Sequence, residues 1–272
     1  LNSQRALDTN NNRVGRAVER IASGIRVNRA ADDAASFSVS ESLRSDTRAL
    51  RQAGKNTNSC LSLVNTAEGS LNEISSTLIR FRELAVNAAT GSVRDTEREA
   101  LELEYTALKK EIDRIAATSE FNGKKLLNGD LANSARERLS IMVGINSGSN
   151  SKLDLNSELS ITDVSATGLG IDKSSITTSD GAVAALGEID TVIDEFTSIR
   201  VRVGVTQDRL ARALSNLNVT AANIQAAESG FRDADLSSEF AELTKSQILV
   251  QSSSAMVGKS NLIPNALLQL IQ

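Results

Sequence analysis

Residues 189–231 read IDTVIDEFTSIRVRVGVTQDRLARALSNLNVTAANIQAAESGF. Every seventh residue is apolar: Ile189, Phe196, Val203, Leu210, Leu217, Ile224 and Phe231. Leu186, Ile193, Leu214 and Ala221 hold companion positions, with Arg200, Gln207 and Glu228 as polar interruptions. A strict seven-residue repeat of this length demands a left-handed helical pairing seam. At a rise of 1.5 Å per residue these 43 residues make a helix of ~65 Å, longer than any small globular core.

The N-terminal half supplies a partner. Val64, Ala67, Leu71, Ile74, Leu78, Phe81, Ala85 and Ala88 alternate by three and four, and the register runs back through Cys60, Ala53, Leu50 and Leu43. After the turn Thr90-Gly91-Ser92, a shorter segment repeats the pattern in Leu101, Tyr105, Leu108, Ile112 and Ile115. Asp95 suits its N-cap, and Asn122-Gly123 forms the turn beyond it. The fold class expected is mainly α: long heptad-patterned helices from both halves, paired in a rod-like bundle. Matching periods and lengths suggest that Ile74, Leu78 and Phe81 face Leu210, Leu214 and Leu217 across the seam.

Between about 131 and 180 the heptads vanish, and Gly, Ser, Asn, Thr and Asp dominate. Alternation in Leu139–Val143 and in Leu153–Leu155, either side of Asn146–Asn150, predicts a small β-hairpin. Val164–Ser179 reads as turn-rich and exposed. The two ends carry thinner stripes rich in Asn, Gln and Ser between the apolar positions. One holds Leu7, Val14, Val18 and Ile21; the other holds Leu236, Phe240, Leu243, Val250 and Val257, with Leu267 and Leu268 beyond. Such helices are marginal alone and need each other or other copies.

Composition removes most chemistry. The chain of 272 residues has no His, no Trp, one Cys and one Pro, where about 14 prolines would be average. A single proline permits very long helices. Without His there is no Ser-His-Asp triad, Cys-His dyad, HExxH zinc site or His-ligated haem. No enzyme and no cofactor is expected. Six Phe and one Tyr are too few for a base-stacking platform, and the net charge of −4 gives no field for nucleic acid or anionic lipid. The sequence holds no run of 18 apolar residues, so no membrane-spanning helix is expected. The opening LNSQRALDTN lacks the charged and apolar regions of a secretory signal. Asp32-Asp33 reads as a helix start favoured by the dipole, not a metal site, and Asn218-Val219-Thr220 as a chance sequon within a helix. Cys60 on the seam reads as a small buried hydrophobe.

Specific strings then add a family. Ala22-Ser23-Gly24-Ile25-Arg26-Val27-Asn28, Ala31–Ala35, Thr66-Ala67-Glu68-Gly69 and Arg80-Phe81-Arg82-Glu83-Leu84-Ala85-Val86 resemble motifs of bacterial flagellin. So do Glu111–Ala116, Glu120–Leu127, Asp233-Ala234-Asp235, Gln247-Ile248-Leu249 and Asn261–Asn265. The motifs come in the family's order and leave out only about 131–180. Cys60, Ser36 and Glu228 depart from its usual residues, and the chain starts about ten residues inside its first helix.

The resemblance implies a subunit that polymerises into the flagellar filament for motility, with a hook–filament junction protein as the alternative. It implies terminal helices 1–23 and 232–272 forming an inner D0, a connector over 24–42, a D1 bundle over 43–231, and no D2 or D3. Inner-tube assembly falls to Leu7, Val14, Val18, Ile21, Leu243, Val250, Val257, Leu267 and Leu268. Export without a cleavable signal, an extracellular place in the flagellum, an export chaperone at the C-terminal helix, and cap and junction proteins are further implications. Arg80, Leu84 and Glu104 match residues through which similar flagellins are sensed by a Toll-like receptor; the heptad register itself sets Leu84 one place off the seam as an anchor and gives the three an axial filament contact as their main task.

Overall fold

The computed structural model describes residues 2–146, 148 and 151–271, with only the backbone helix for 261–271. Leu267 and Leu268 therefore lie outside the described side chains. The chain divides into two compact units, one of residues 1–48 with 221–272 and the other of residues 49–220.

The second unit is built on α3 (Asp95–Thr118) and on the parts of α2 (Ala34–Ala89) and α5 (Ser179–Arg232) that fall within residues 49–220. Burial along α2 follows the expected ladder: Val64, Ala67, Leu71, Ile74, Phe81, Ala85 and Ala88 are fully covered. Along α5, Ile189, Phe196, Val203 and Leu210 are buried as expected. Their buried companions, however, are Val192, Ile199 and Thr206, one residue before the expected positions. Ile193, Arg200 and Gln207 instead flank the seam at the edge facing α2. The repeat also thins along its length, since Ile224 is half-buried and Phe231 is 41% exposed.

The register of α2 against α5 differs from the expected one. Arg82 Nε donates to Asp190 Oδ1 at 2.7 Å, Arg200 donates to Asn72, and Gln207 Nε2 donates to Asn65 Oδ1 at 3.0 Å. A Cβ on Gly54 would stand 3.8 Å from Leu214 Cδ1. Phe81 is thus level with Ile189 and Val192, and Leu210 is level with Leu63 and Val64. Ile74, Leu78 and Phe81 do not meet Leu210, Leu214 and Leu217. Sliding antiparallel heptads by seven residues preserves the apolar match. The side-chain pairs along the edge distinguish one register from the next.

α3 runs back along α2. Arg98, buried at its start, donates to the carbonyls of Ala88 (2.8 Å) and Thr90 (3.2 Å), satisfying orphan groups at the C-terminus of α2. The N-cap of α3 is Arg94, not Asp95; the Arg94 amide donates to Glu97, while Asp95 pairs with Arg98. Asn122 and Gly123, at φ 51° and 76°, make the tight turn between β1 (Glu120–Phe121) and β2 (Lys124–Lys125).

The expected hairpin is present, with β3 (Ser140–Met142) antiparallel to β4 (Lys152–Asp154) and Ile141 opposite Leu153. Asn156, in the short α4 (Leu155–Leu159), is buried. Its side chain accepts from Leu139 N (2.7 Å) and donates to the carbonyls of Asp130 (2.9 Å) and Ala132 (3.1 Å). The segment 164–179 is turn-rich but not exposed, because Val164, Ile171 and Ile176 are fully buried. Its polar backbone is anchored by α3: Asp113 accepts from Ala166 N at 2.8 Å, Glu102 from Ile176 N at 2.7 Å, and Tyr105 Oη bonds Ser174 Oγ at 2.7 Å. These long-range anchors let an aperiodic segment enter a core.

In the first unit, α1 (Asn2–Ser23) pairs with α6 (Leu236–Ile271). Gly24, at φ 68°, ends α1 in the left-handed conformation that favours glycine. The Arg26 amide donates to Arg232 O (2.7 Å) and Ala234 N to Gly24 O (3.0 Å). Asp33 accepts from the amides of Ala35 and Ser36, both at 3.1 Å, and so caps α2. Hydrogen bonds from Ser36 hold its carboxyl below the usual carboxylate range.

Candidate assembly surfaces

The α1·α6 seam has heptad spacing but a sparse filling. On α1 it is Leu7, Asn10, Val14, Ala17 and Ile21; on α6 it is Leu243, Ser246, Val250, Ser253 and Val257. The best-covered positions hold small or polar residues, Asn10, Ala17 and Ser246. Leu7, Val14, Ile21, Leu243, Val250 and Val257 are only half-buried. Val18 is 49% exposed and lies beside the seam within one chain, because Ala17 holds the heptad position next to it. Choosing apolar residues by size alone passes over Ala17, Asn10 and Ser246.

Two polar pairs align these helices. Asn10 Nδ2 donates to Ser253 Oγ at 3.0 Å, and Arg20 pairs with Glu239 at 3.1 Å. The Ser246 hydroxyl is buried without a hydrogen-bond partner among the described residues. Outside the seam, Leu236, Phe240, Ile248 and Met256 are exposed. Much of the apolar surface of α1 and of the described side chains of α6 thus remains uncovered within one chain.

In the other unit, Arg80 pairs with Glu104 across the α2·α3 boundary at 2.8 Å and with Glu83 at 2.9 Å. Hydrogen bonds to these carboxylates raise the Arg80 pKa further. Arg80 and Glu104 form an exposed ridge. Leu84 is 2% exposed and belongs to the core, so it is not an anchor for any partner in this state. A stripe that contacts both α3 and α5 is wider than a two-helix seam, and it draws in the position before Ala85.

Cys60 is a buried free thiol, and burial pushes its pKa up to about 12. Among the described residues no group of acidic or thiol side chains could hold a metal ion, and no helix is long and apolar enough to cross a membrane.

Residues 1–132 match the model for the bacterial flagellin N-terminal helical region, and residues 186–271 match that for the C-terminal helical region. The chain belongs to the bacterial flagellin family. Flagellin from Halalkalibacterium halodurans is 38% identical over 272 residues, covering all of this chain and 97% of the relative. The flagellar filament 33 kDa core protein of Treponema phagedenis is 36% identical, covering 99% of this chain and 96% of its own length. The crystal structure of Bacillus cereus flagellin superposes with a TM-score of 0.51 at 28% identity, covering 64% of this flagellin and 94% of that chain. A putative flagellar hook-associated protein from Vibrio parahaemolyticus gives a TM-score of 0.58 at 14% identity and shares the fold alone.

Proposed function

We propose that this flagellin is a structural subunit that polymerises into the bacterial flagellar filament. The observation that carries the reading is the unfinished α1·α6 seam in a chain whose named relatives, flagellins and filament core proteins, match over almost their whole length. In a polymer, other copies would cover the half-buried Leu and Val side chains of both terminal helices. Fully burying each such side chain contributes ~1.5–3 kcal/mol, repeated for every subunit. These relatives favour the filament reading over the junction-protein alternative.

The finer reading assigns residues 1–23 and 232–272 to an inner D0 and residues 24–42 to the connector. Residues 43–231 form D1, without D2 or D3. The subunit would reach an extracellular filament, handled by a chaperone at its C-terminal helix, and would meet cap and junction proteins. A Toll-like receptor would read the Arg80–Glu104 ridge of the free subunit, with Leu84 supporting that ridge from inside. Electron microscopy of the purified chain after seeding tests the central reading. Long filaments are expected; soluble monomers at every concentration would overturn it.

A further inference from the structure

A second seven-residue series on α2 lies at the edge facing α5: Asn65, Asn72, Ile79 and Val86. Its first two members bond Gln207 and Arg200. Continuing the same antiparallel steps down α5 places Ile79 level with Ile193 and Val86 level with Leu186. The boundary therefore changes from polar to apolar halfway along. In the apolar half Ile79 is 56% exposed, Val86 50% and neighbouring Val183 58%. The Arg82–Asp190 pair crosses this half, and Asp194 beside it has no ion pair among the described residues.

α3 carries a stripe of matching chemistry. Ala100, Leu103, Ala107 and Lys110 recur at three-four spacing on its exposed side, and Leu103 at 75% is the most exposed large apolar side chain among the described residues. Small residues on either side of Leu103 allow a close approach. Lys110, at the end of the stripe, has no ion-pair partner among the described residues. Such a stripe is a seam without a partner helix.

We propose that the α3 stripe of one copy docks in the α2·α5 edge of a second copy, with Leu103 seated between Ile79, Val86 and Val183 and Lys110 facing the Asp190–Asp194 rim. The two faces are different, so the contact is heterologous and propagates from copy to copy instead of closing a dimer. The opposite charges flanking the apolar patches set its direction. This contact rests on the filament reading and names one pair of surfaces within it.

The test mixes two single-cysteine proteins in a Cys60→Ala background, Ile79→Cys and Leu103→Cys, polymerises them on seeds and oxidises them mildly. Disulfide dimers are expected in the mixed polymer and not in the unpolymerised mixture. A control mixture of Val201→Cys with Leu103→Cys, the valine being exposed elsewhere on α5, is expected to give none. In parallel, Leu103→Gln should slow elongation about tenfold while leaving monomer helicity and melting unchanged. Filaments that form without the Ile79–Leu103 cross-link, or that cross-link Val201 instead, overturn this contact and leave the filament reading standing. Absence of any polymer from the wild-type chain overturns both.

Discussion

The α2·α5 seam and the α1·α6 seam share a period and differ in what fills it. In the first, Leu71, Ile74, Phe81, Ile189 and Val203 are completely covered. In the second, Asn10, Ala17 and Ser246 take the covered places while the larger apolar residues stay half-exposed. The repeat specifies that helices pair; the size of the residues at the repeat specifies whether the pair is finished. A finished seam makes a stable unit. An unfinished one, joined by the Asn10–Ser253 and Arg20–Glu239 pairs, keeps its register while remaining open to further helices.

The largest expected effect separates the two seams outright. Deleting residues 236–272 should abolish filament growth and leave a soluble protein that retains the melting transition of the α2·α3·α5 unit. Sedimentation of seeded reactions together with thermal unfolding checks both halves, and efficient growth of the truncated chain would erase the contrast. Next come single core truncations. Leu210→Ala should cost ~2–5 kcal/mol in urea unfolding, because a fully buried leucine leaves a cavity. Val14→Ala should cost the monomer less than about 1 kcal/mol yet still impair polymerisation. Equal monomer losses would mean that α1·α6 is as complete as the inner core.

A finer cut concerns the polar seam. Asn10→Ala and Ser253→Ala should couple in a double-mutant cycle by about 0.5–1.5 kcal/mol. Ser246→Ala should be neutral or stabilising, since it removes a buried hydroxyl that has no partner among the described residues. The smallest effect is alkaline. Burial raises Cys60 and Tyr105 to about 12, above their unfolded values. Their stabilisation is fully present below the unfolded pKa and is lost as pH rises towards 12, because only the unfolded state readily releases those protons. Cys60→Ala should lose less stability between pH 8 and 11 than the wild type, measured by urea midpoints. An identical loss would mean that the thiol is not the sensitive group.

Much of this architecture is legible in the residues, for physical reasons. Heptads from Ile189 and Val64 reveal the long helices because a three-four stripe has one cheap way to be covered, and alternation around Ile141 and Leu153 reveals the hairpin. The register was hidden, because moving Phe81 from the level of Leu210 to that of Ile189 changes no apolar match; the choice appears in Asn65·Gln207 and Arg82·Asp190, pairs that no periodicity displays. Burial of Ile171 and Ile176 was hidden too, since a turn-rich segment becomes core only through distant partners such as Glu102 and Tyr105. Leu84 illustrates a third limit. A two-helix register places it off the seam, and the third helix widens the buried stripe to include it.

Amide hydrogen exchange, followed by residue in free subunits and in filaments, tests the contrast between the two seams most directly. In the free subunit, α1 and the part of α6 up to Ser260 should exchange far faster than α2 and α5 between residues 60 and 210, and assembly should slow the terminal helices towards the rates of the inner core. Terminal helices as well protected in the free subunit as the inner core, with no further slowing in the filament, would contradict an unfinished seam completed by other copies.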